Sequence, residues 1–210
     1  EASDLAGMKN IPDAYETDLL VVGGGPAGSC AAVAAARMGV RTIIIDNGNC
    51  LGGMATKGLV GPFMTCYDRY GEQMIIKGIF GEIVDRLVEK NWAIHPEHVR
   101  WESPYTAWIK AGHDHVTPFD PEGLKVILET MCGEAGVKIL YHTNFVETIM
   151  NGNAAAGAVV LQKQGLRKIH ARMVIDATGD GMSLSAPDLR SRWDARRETV
   201  RSSRPVSSSG

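Results

Sequence analysis

The chain has 210 residues, 44% of them apolar and 22% charged, with a net charge of −2. This is ordinary globular composition, and the length is enough for one compact α/β unit with an insertion. So neutral a balance gives no footing for nucleic acid or an anionic membrane surface, and the longest apolar stretch, 19–36, is broken by Gly23-Gly24-Gly25-Pro26 and fails as a membrane span.

Residues 1–17 read as a polar N-terminal arm. Asp18 to Val22 is a nearly continuous apolar run, the pattern of a central parallel strand. A glycine turn follows, then a small-residue helix from Ala27 to Met38, stopped by Gly39. A second β-branched strand from Val40 to Ile45 ends at Asp46. Strand, helix and strand within about thirty residues make a βαβ unit.

Residues 57–118 differ in composition and are expected to be an inserted segment on the substrate side. They hold Trp92, Trp101, Trp108 and four histidines, with one amphipathic helix over 78–90 carried by Ile79, Ile83, Leu87 and Val88. Asp120-Pro121 then opens a further helix as N-cap and first residue, and Gly133 or Gly136 ends it. A strand over 137–141 and a second over 145–150 follow. Asn151-Gly152 is a strong hairpin signal and leads into a strand over 156–162. Gln164-Gly165 turns the chain again into a strand over 166–170, giving a three-stranded antiparallel meander packed on the sheet. Met173 to Asp176 reads as a separate buried strand entering Ala177-Thr178-Gly179-Asp180-Gly181. Beyond Met182 the stretch to Gly210 sets six arginines against three carboxylates among many serines, and is expected to be disordered.

Gly23-x-Gly25-x-x-Gly28 alone is a weak signal, but here it follows a strand, opens a helix, and has Asp46 at the end of the next strand. In that setting the first glycine makes a tight turn, the second lets backbone approach a diphosphate, and the third lets the helix pack on the strand. The diphosphate would sit at the helix N-terminus, and Asp46 would accept from a ribose. The first βαβ serves NAD and FAD alike. Two later features favour FAD: the Leu51-Gly52-Gly53-Met54-Ala55-Thr56 stretch after Asp46, and the meander in place of further βα crossovers.

Four ordered pieces carry a resemblance: VVGGGPAGSCAAVAAARMG, IIIDNGNCLGGMAT, the 119–149 helix–strand unit, and MVIDATGDG. Over residues 18–181 the chain resembles the bacterial FAD-dependent oxidoreductases of the glutathione-reductase-like FAD/NAD(P)-binding superfamily. The resemblance implies an FAD-binding domain over 18–56 and 119–181. It implies FAD held by Gly23, Gly25, Pro26, Ala27 and Gly28, with Asp46 and Asn47 at the adenosine ribose. Gly52, Gly53, Met54, Ala55 and Thr56 would run towards the isoalloxazine, Val146 would meet adenine, and Ala177, Thr178 and Gly179 would close over the dinucleotide. Met54 and Val146 read equally well as core residues. Where most of the family carries Glu, this chain has Asp46. Past Gly181 the expected substrate domain and late flavin-capping turn are absent, so the chain reads as C-terminally truncated or frame-shifted.

The implied activity is two-electron transfer of hydride from a small-molecule substrate to flavin. An NAD-dependent dehydrogenase and a non-catalytic dinucleotide-binding fragment stay open as alternatives. Catalytic residues are not assigned by the pattern. Candidates are His113 and His115 as a general base, and Lys57 as a charge beside the reduced ring or simply a solvated lysine. His95-x-x-His98 and His113-x-His115 lack a completing cluster, so no metal is expected. Cys30, Cys50, Cys66 and Cys132 have no framework spacing and lack the Cys-x4-Cys pair of disulfide reductases. They read as reduced packing thiols in a cytoplasmic protein. A homo-oligomer stays open.

Overall fold

The computed structural model describes residues 10–68, 70–99 and 115–181. In chain order the elements are β1 (Asp13–Val22), α1 (Pro26–Arg37), β2 (Thr42–Ile45), α2 (Ile79–Glu89), α3 (Pro121–Ala135), β3 (Lys138–Leu140), β4 (Asn144–Asn151), β5 (Ala154–Gln162) and β6 (Gly165–Asp176). The fold is α/β, built on one mixed six-stranded sheet of order β3-β2-β1-β6-β5-β4. The first four strands run parallel, and β5 and β4 extend the sheet antiparallel from β6.

Because strand side chains alternate, a strand covered on both faces must be apolar throughout. The end of β1 obeys this: Leu19 and Val21 join Ile44, Val33, Leu124 and Met131 on the helical face. Leu20 and Val22 join Ile43, Ile45, Ala158, Val160 and Ile169 on the other. The three helices thus cover one face, while apolar residues of the meander belong to the cluster of the opposite face.

Three expectations need correction. First, β1 opens at Asp13, so residues 13–17 of the expected arm are strand, with Asp13 to Thr17 paired to β6. Asp13, Glu16 and Thr17 interrupt the apolar pattern and hide the pairing from a periodicity test. Second, the expected strands over 166–170 and 173–176 are one twelve-residue strand, β6. Gly165 to His170 pair with β5 and Lys168 to Asp176 with β1, so the meander is hydrogen-bonded into the sheet as well as packed with it. Met173 on it is exposed, and the other residues of 173–176 are only partly buried. Third, Val84, not Val88, completes the buried stripe of α2 with Ile83 and Leu87. Ile83 and Leu87 lie in the same core as α1 and α3, so the inserted segment does not fold apart.

Helix ends follow the residues that favour them. Asp120 caps α3 by accepting from Glu122 N–H, and Gly136 ends it in the left-handed conformation at φ 78°, leaving Gly133 inside the helix. Among the described residues no helix is long and apolar enough to cross a membrane. The arm before residue 10 and the stretch from 182 lie outside the described residues.

Candidate dinucleotide site

In an open parallel sheet, ligands bind beyond the strand C-termini, where chain order reverses direction across the sheet. Here the chain moves outward from β1 to β2 and β3, then returns to the other side of β1 as β6. The reversal therefore lies between β1 and β6. At that point a cleft of about 510 Å³ is lined by the ends of β1 and β2, the loop 23–27, and the turn 177–180.

The glycine loop is shaped by close backbone contact. Gly23 has φ 103°, and a Cβ there would come 2.5 Å from the Ala177 carbonyl oxygen. A Cβ on Gly28 would overlap the Gly23 carbonyl oxygen, so α1 can approach β1 only without one. Gly25 is different: a Cβ there meets nothing within 4 Å, because the position faces the cleft. Gly25 is also the N-cap of α1 and supplies no side-chain hydrogen bond to the first turn. First-turn amides have no partner within a helix, and the positive end of its dipole lies there. No acidic residue stands in that turn, and Arg37 occupies the last one.

Asp46, at the end of β2, is buried on the cleft wall. Its Oδ2 accepts from Gly24 N–H at 2.8 Å. Its Oδ1 accepts from Gly48 N–H and from Lys57 Nζ, each at 2.7 Å. Asn47 also lines the cleft, and its Oδ1 lies 3.4 Å from Lys57 Nζ.

The Gly-Gly turn is fastened to the glycine loop: Gly52 N–H donates to Gly24 O at 2.7 Å, and a Cβ on Gly53 would come 3.0 Å from Gly25 Cα. Gly53 and Met54 line the cleft. Gly52, Ala55 and Thr56 do not; buried Thr56 donates from Oγ1 to Leu51 O at 2.7 Å and holds the turn closed. Ala177, Thr178 and Gly179 line the far side, and Thr178 Oγ1 donates to Asp176 Oδ1 at 2.6 Å.

The sequence expectations thus converge on one cleft for Gly23, Gly25, Pro26, Ala27, Asp46, Asn47, Gly53, Met54, Ala177, Thr178 and Gly179. Val146 falls outside its lining, at a register irregularity of β4; Thr143, Asn144 and Phe145 reach the cleft instead. These three, with Asp180 and Gly58, went unread in the sequence. The signal for 143–145 was positional, since they follow the parallel strand β3.

The catalytic candidates separate. Lys57 comes to Asp46, the residue expected at the ribose. His115 is buried and stacked on Tyr67 at 4.2 Å, away from the cleft lining. His113 lies outside the described residues. His95 and His98 are edge-to-face at 5.9 Å, with His95 Nδ1 accepting from Glu97 N–H. All four cysteines are free; burial pushes the Cys132 thiol up to about 11 and raises Cys30 and Cys66, which disfavours the reactive thiolate.

These residues suit an adenine dinucleotide: uncapped amides for a diphosphate, a buried carboxylate for a ribose, and an open glycine between them.

Comparison with known proteins agrees. The chain is 29% identical over 174 residues to a thiamine thiazole synthase of Aeropyrum pernix, covering 78% of this chain and 54% of that protein. It is 27% identical over 168 residues to a digeranylgeranylglycerophospholipid reductase of Methanoculleus marisnigri, covering 77% and 38%. Among solved structures, THI4 of Thermovibrio ammonificans matches with a TM-score of 0.52 at 19% identity, covering 84% of this chain and 62% of that one, which is a likeness of fold. The chain spans about half the length of the first of these curated relatives. Residues 18–205 match the family described as FAD dependent oxidoreductase, a match that runs past Gly181, where the resemblance read from sequence ended. The chain belongs to the FAD-dependent oxidoreductase family.

Proposed function

We propose that this chain holds FAD in the cleft between β1 and β6 and serves hydride transfer between a small-molecule substrate and the flavin. The observation that carries this is the uncapped N-terminus of α1, with open Gly25, facing the same cleft as the Asp46 carboxylate. Bound FAD would supply the two-electron hydride chemistry. The chain's own part is binding and orientation. The first-turn amides of α1 and its dipole would hold the diphosphate, and Asp46 would accept from the adenosine ribose. Gly53 and Met54, on the turn tied to Gly24, would flank the extended cofactor, and Ala177 to Gly179 would close the opposite side.

The two relatives described above carry names of different reactions, so the substrate here is left as a small molecule of unassigned class. The experiment is the near-ultraviolet and visible absorbance of purified protein, before and after heat release of cofactor. Flavin bands, with FAD in the supernatant, support the proposal. Protein that stays colourless after incubation with FAD, yet binds NADH, would replace it with a nicotinamide site. Protein that folds and binds neither would leave only a non-catalytic fold.

A further inference from the structure

Asp46 and Lys57 are the tied charged pair on the cleft wall, and their remaining hydrogen-bonding capacity is specific. An ionised carboxylate offers about four acceptor positions. Among the described residues, Oδ1 of Asp46 takes Gly48 N–H and Lys57 Nζ, and Oδ2 takes Gly24 N–H. One position is left, on Oδ2. The ammonium has three protons. One goes to Asp46 Oδ1 at 2.7 Å and a second faces Asn47 Oδ1 at 3.4 Å, which leaves a third. Both residues line the cleft. The pair therefore presents one acceptor and one donor side by side, where a lone carboxylate would present acceptors only. A vicinal diol matches this, one hydroxyl donating and its neighbour's oxygen accepting. Position 48 fits the same arrangement: a Cβ on Gly48 would overlap the Lys57 ammonium.

We propose that Lys57 is a ribose-recognition residue, donating to one hydroxyl oxygen of the adenosine ribose while Asp46 accepts from the other hydroxyl. This rests on FAD occupying the cleft. It gives a lysine of the inserted segment a binding role at the ribose in place of the flavin-side role its position after the Gly-Gly turn suggested.

The test is equilibrium binding, by calorimetry or flavin fluorescence, of FAD and of two analogues lacking the 2′- or the 3′-hydroxyl of the adenosine ribose. Wild-type protein should prefer FAD to both analogues. Lys57→Met keeps most of the side-chain stem and should weaken FAD binding about tenfold, the loss of one charge-assisted hydrogen bond. It should also abolish the preference over one analogue while retaining the preference over the other, which Asp46 supplies. Gly48→Ala, which displaces the ammonium and keeps its charge, should give the same pattern, so a folding defect in one variant does not decide the matter. If Lys57→Met weakens FAD and both analogues by one common factor, Lys57 merely holds Asp46 and the proposal is overturned. Unchanged affinity overturns it too. Wild-type protein that binds none of the three ligands removes the FAD reading itself, and the Lys57 proposal with it.

Discussion

In the loop after β1, side chains are missing wherever backbone meets backbone; in residues 58–78, beyond the Gly-Gly turn, large apolar side chains stand in solvent. Gly23 and Gly28 each press on main-chain atoms that cannot turn aside. Leu59, Val60, Ile75 and Ile76, by contrast, are each more than half exposed. The first region is fixed by strand ends and their hydrogen bonds, such as Gly23 N–H to Ile45 O and Ala177 N–H to Val22 O. The second hangs on a few fastenings, among them the Phe63–Thr117 bridge and the stacking of Phe63 on Phe119 at 4.2 Å. Substitutions should therefore act nearly all-or-none in the loop and by degrees in the segment.

The largest contrast lies within the loop itself. Gly28→Ala should lower stability by about 3 kcal/mol or more, because the methyl overlaps a backbone oxygen. A denaturant melt measures it. Gly25→Ala should leave stability within about 0.5 kcal/mol, since φ is −64° and the methyl enters open space. It should nevertheless weaken FAD binding at least about tenfold, by filling the approach to the helix amides. Equal effects of the two substitutions on stability would dissolve the distinction between packing and ligand glycines.

A smaller effect is expected where a glycine meets a side chain. A Cβ on Gly123 would come 2.7 Å from the Trp92 ring, which fastens the inserted segment to α3. The methyl would also come 2.8 Å from Trp92 Cβ, so the whole side chain must give way, a cost that alanine offsets by roughly 1 kcal/mol of helix propensity over glycine. Gly123→Ala should therefore cost only about 1 kcal/mol net, with a change in tryptophan fluorescence as Trp92 moves.

The acid limb of stability should respond to one carboxylate between the helices. Glu82 receives both guanidinium nitrogens of Arg37 at 2.6 and 2.8 Å, and Arg86 also reaches it at 2.8 Å. Hydrogen bonding from Arg37, foremost, holds its carboxyl below the ordinary value. A depressed folded value means the contribution is complete above the usual carboxylate range and is lost as pH falls through the folded value. Glu82→Gln should cost about 0.5–1 kcal/mol at neutral pH, as expected of a partly exposed network. The gap between variant and wild type should close in acid; a gap that persists there would assign the cost to packing.

Legibility in the sequence followed the same division. The βαβ unit, the cap at Asp120 and the Asn151-Gly152 hairpin were readable because each depends on local stereochemistry, whereas the choice between Gly133 and Gly136 as the end of α3 was left open. The cleft residues 23–27 and 46–47 were readable because glycine spacing and a strand-end acid are local as well. What escaped depends on distant partners. Residues 13–17 become strand because β6 lies beside them, and the expected strands 166–170 and 173–176 are continuous because β1 pairs across the join, from Lys168 to Asp176. Lys57 reached Asp46 for the same kind of reason: the Gly-Gly turn folds back on Gly24, a contact that no spacing announces.

The smallest effect should come from the reverse substitution in the second region. Leu59 is 72% exposed and holds φ 54°, a left-handed conformation that costs a leucine about 1–2 kcal/mol. Leu59→Gly relieves that strain and removes little buried surface, while the freer unfolded chain returns roughly 0.4–1 kcal/mol of cost. The balance is a stability equal to wild type or higher by up to about 1 kcal/mol. The same exchange of side chain for hydrogen that Gly28 shows to be indispensable should thus be neutral to favourable thirty-one positions later. A melt showing a loss above about 1 kcal/mol would mean that Leu59 is covered by another surface in solution. The contrast between a packed loop and a loosely fastened segment would then fail at that residue.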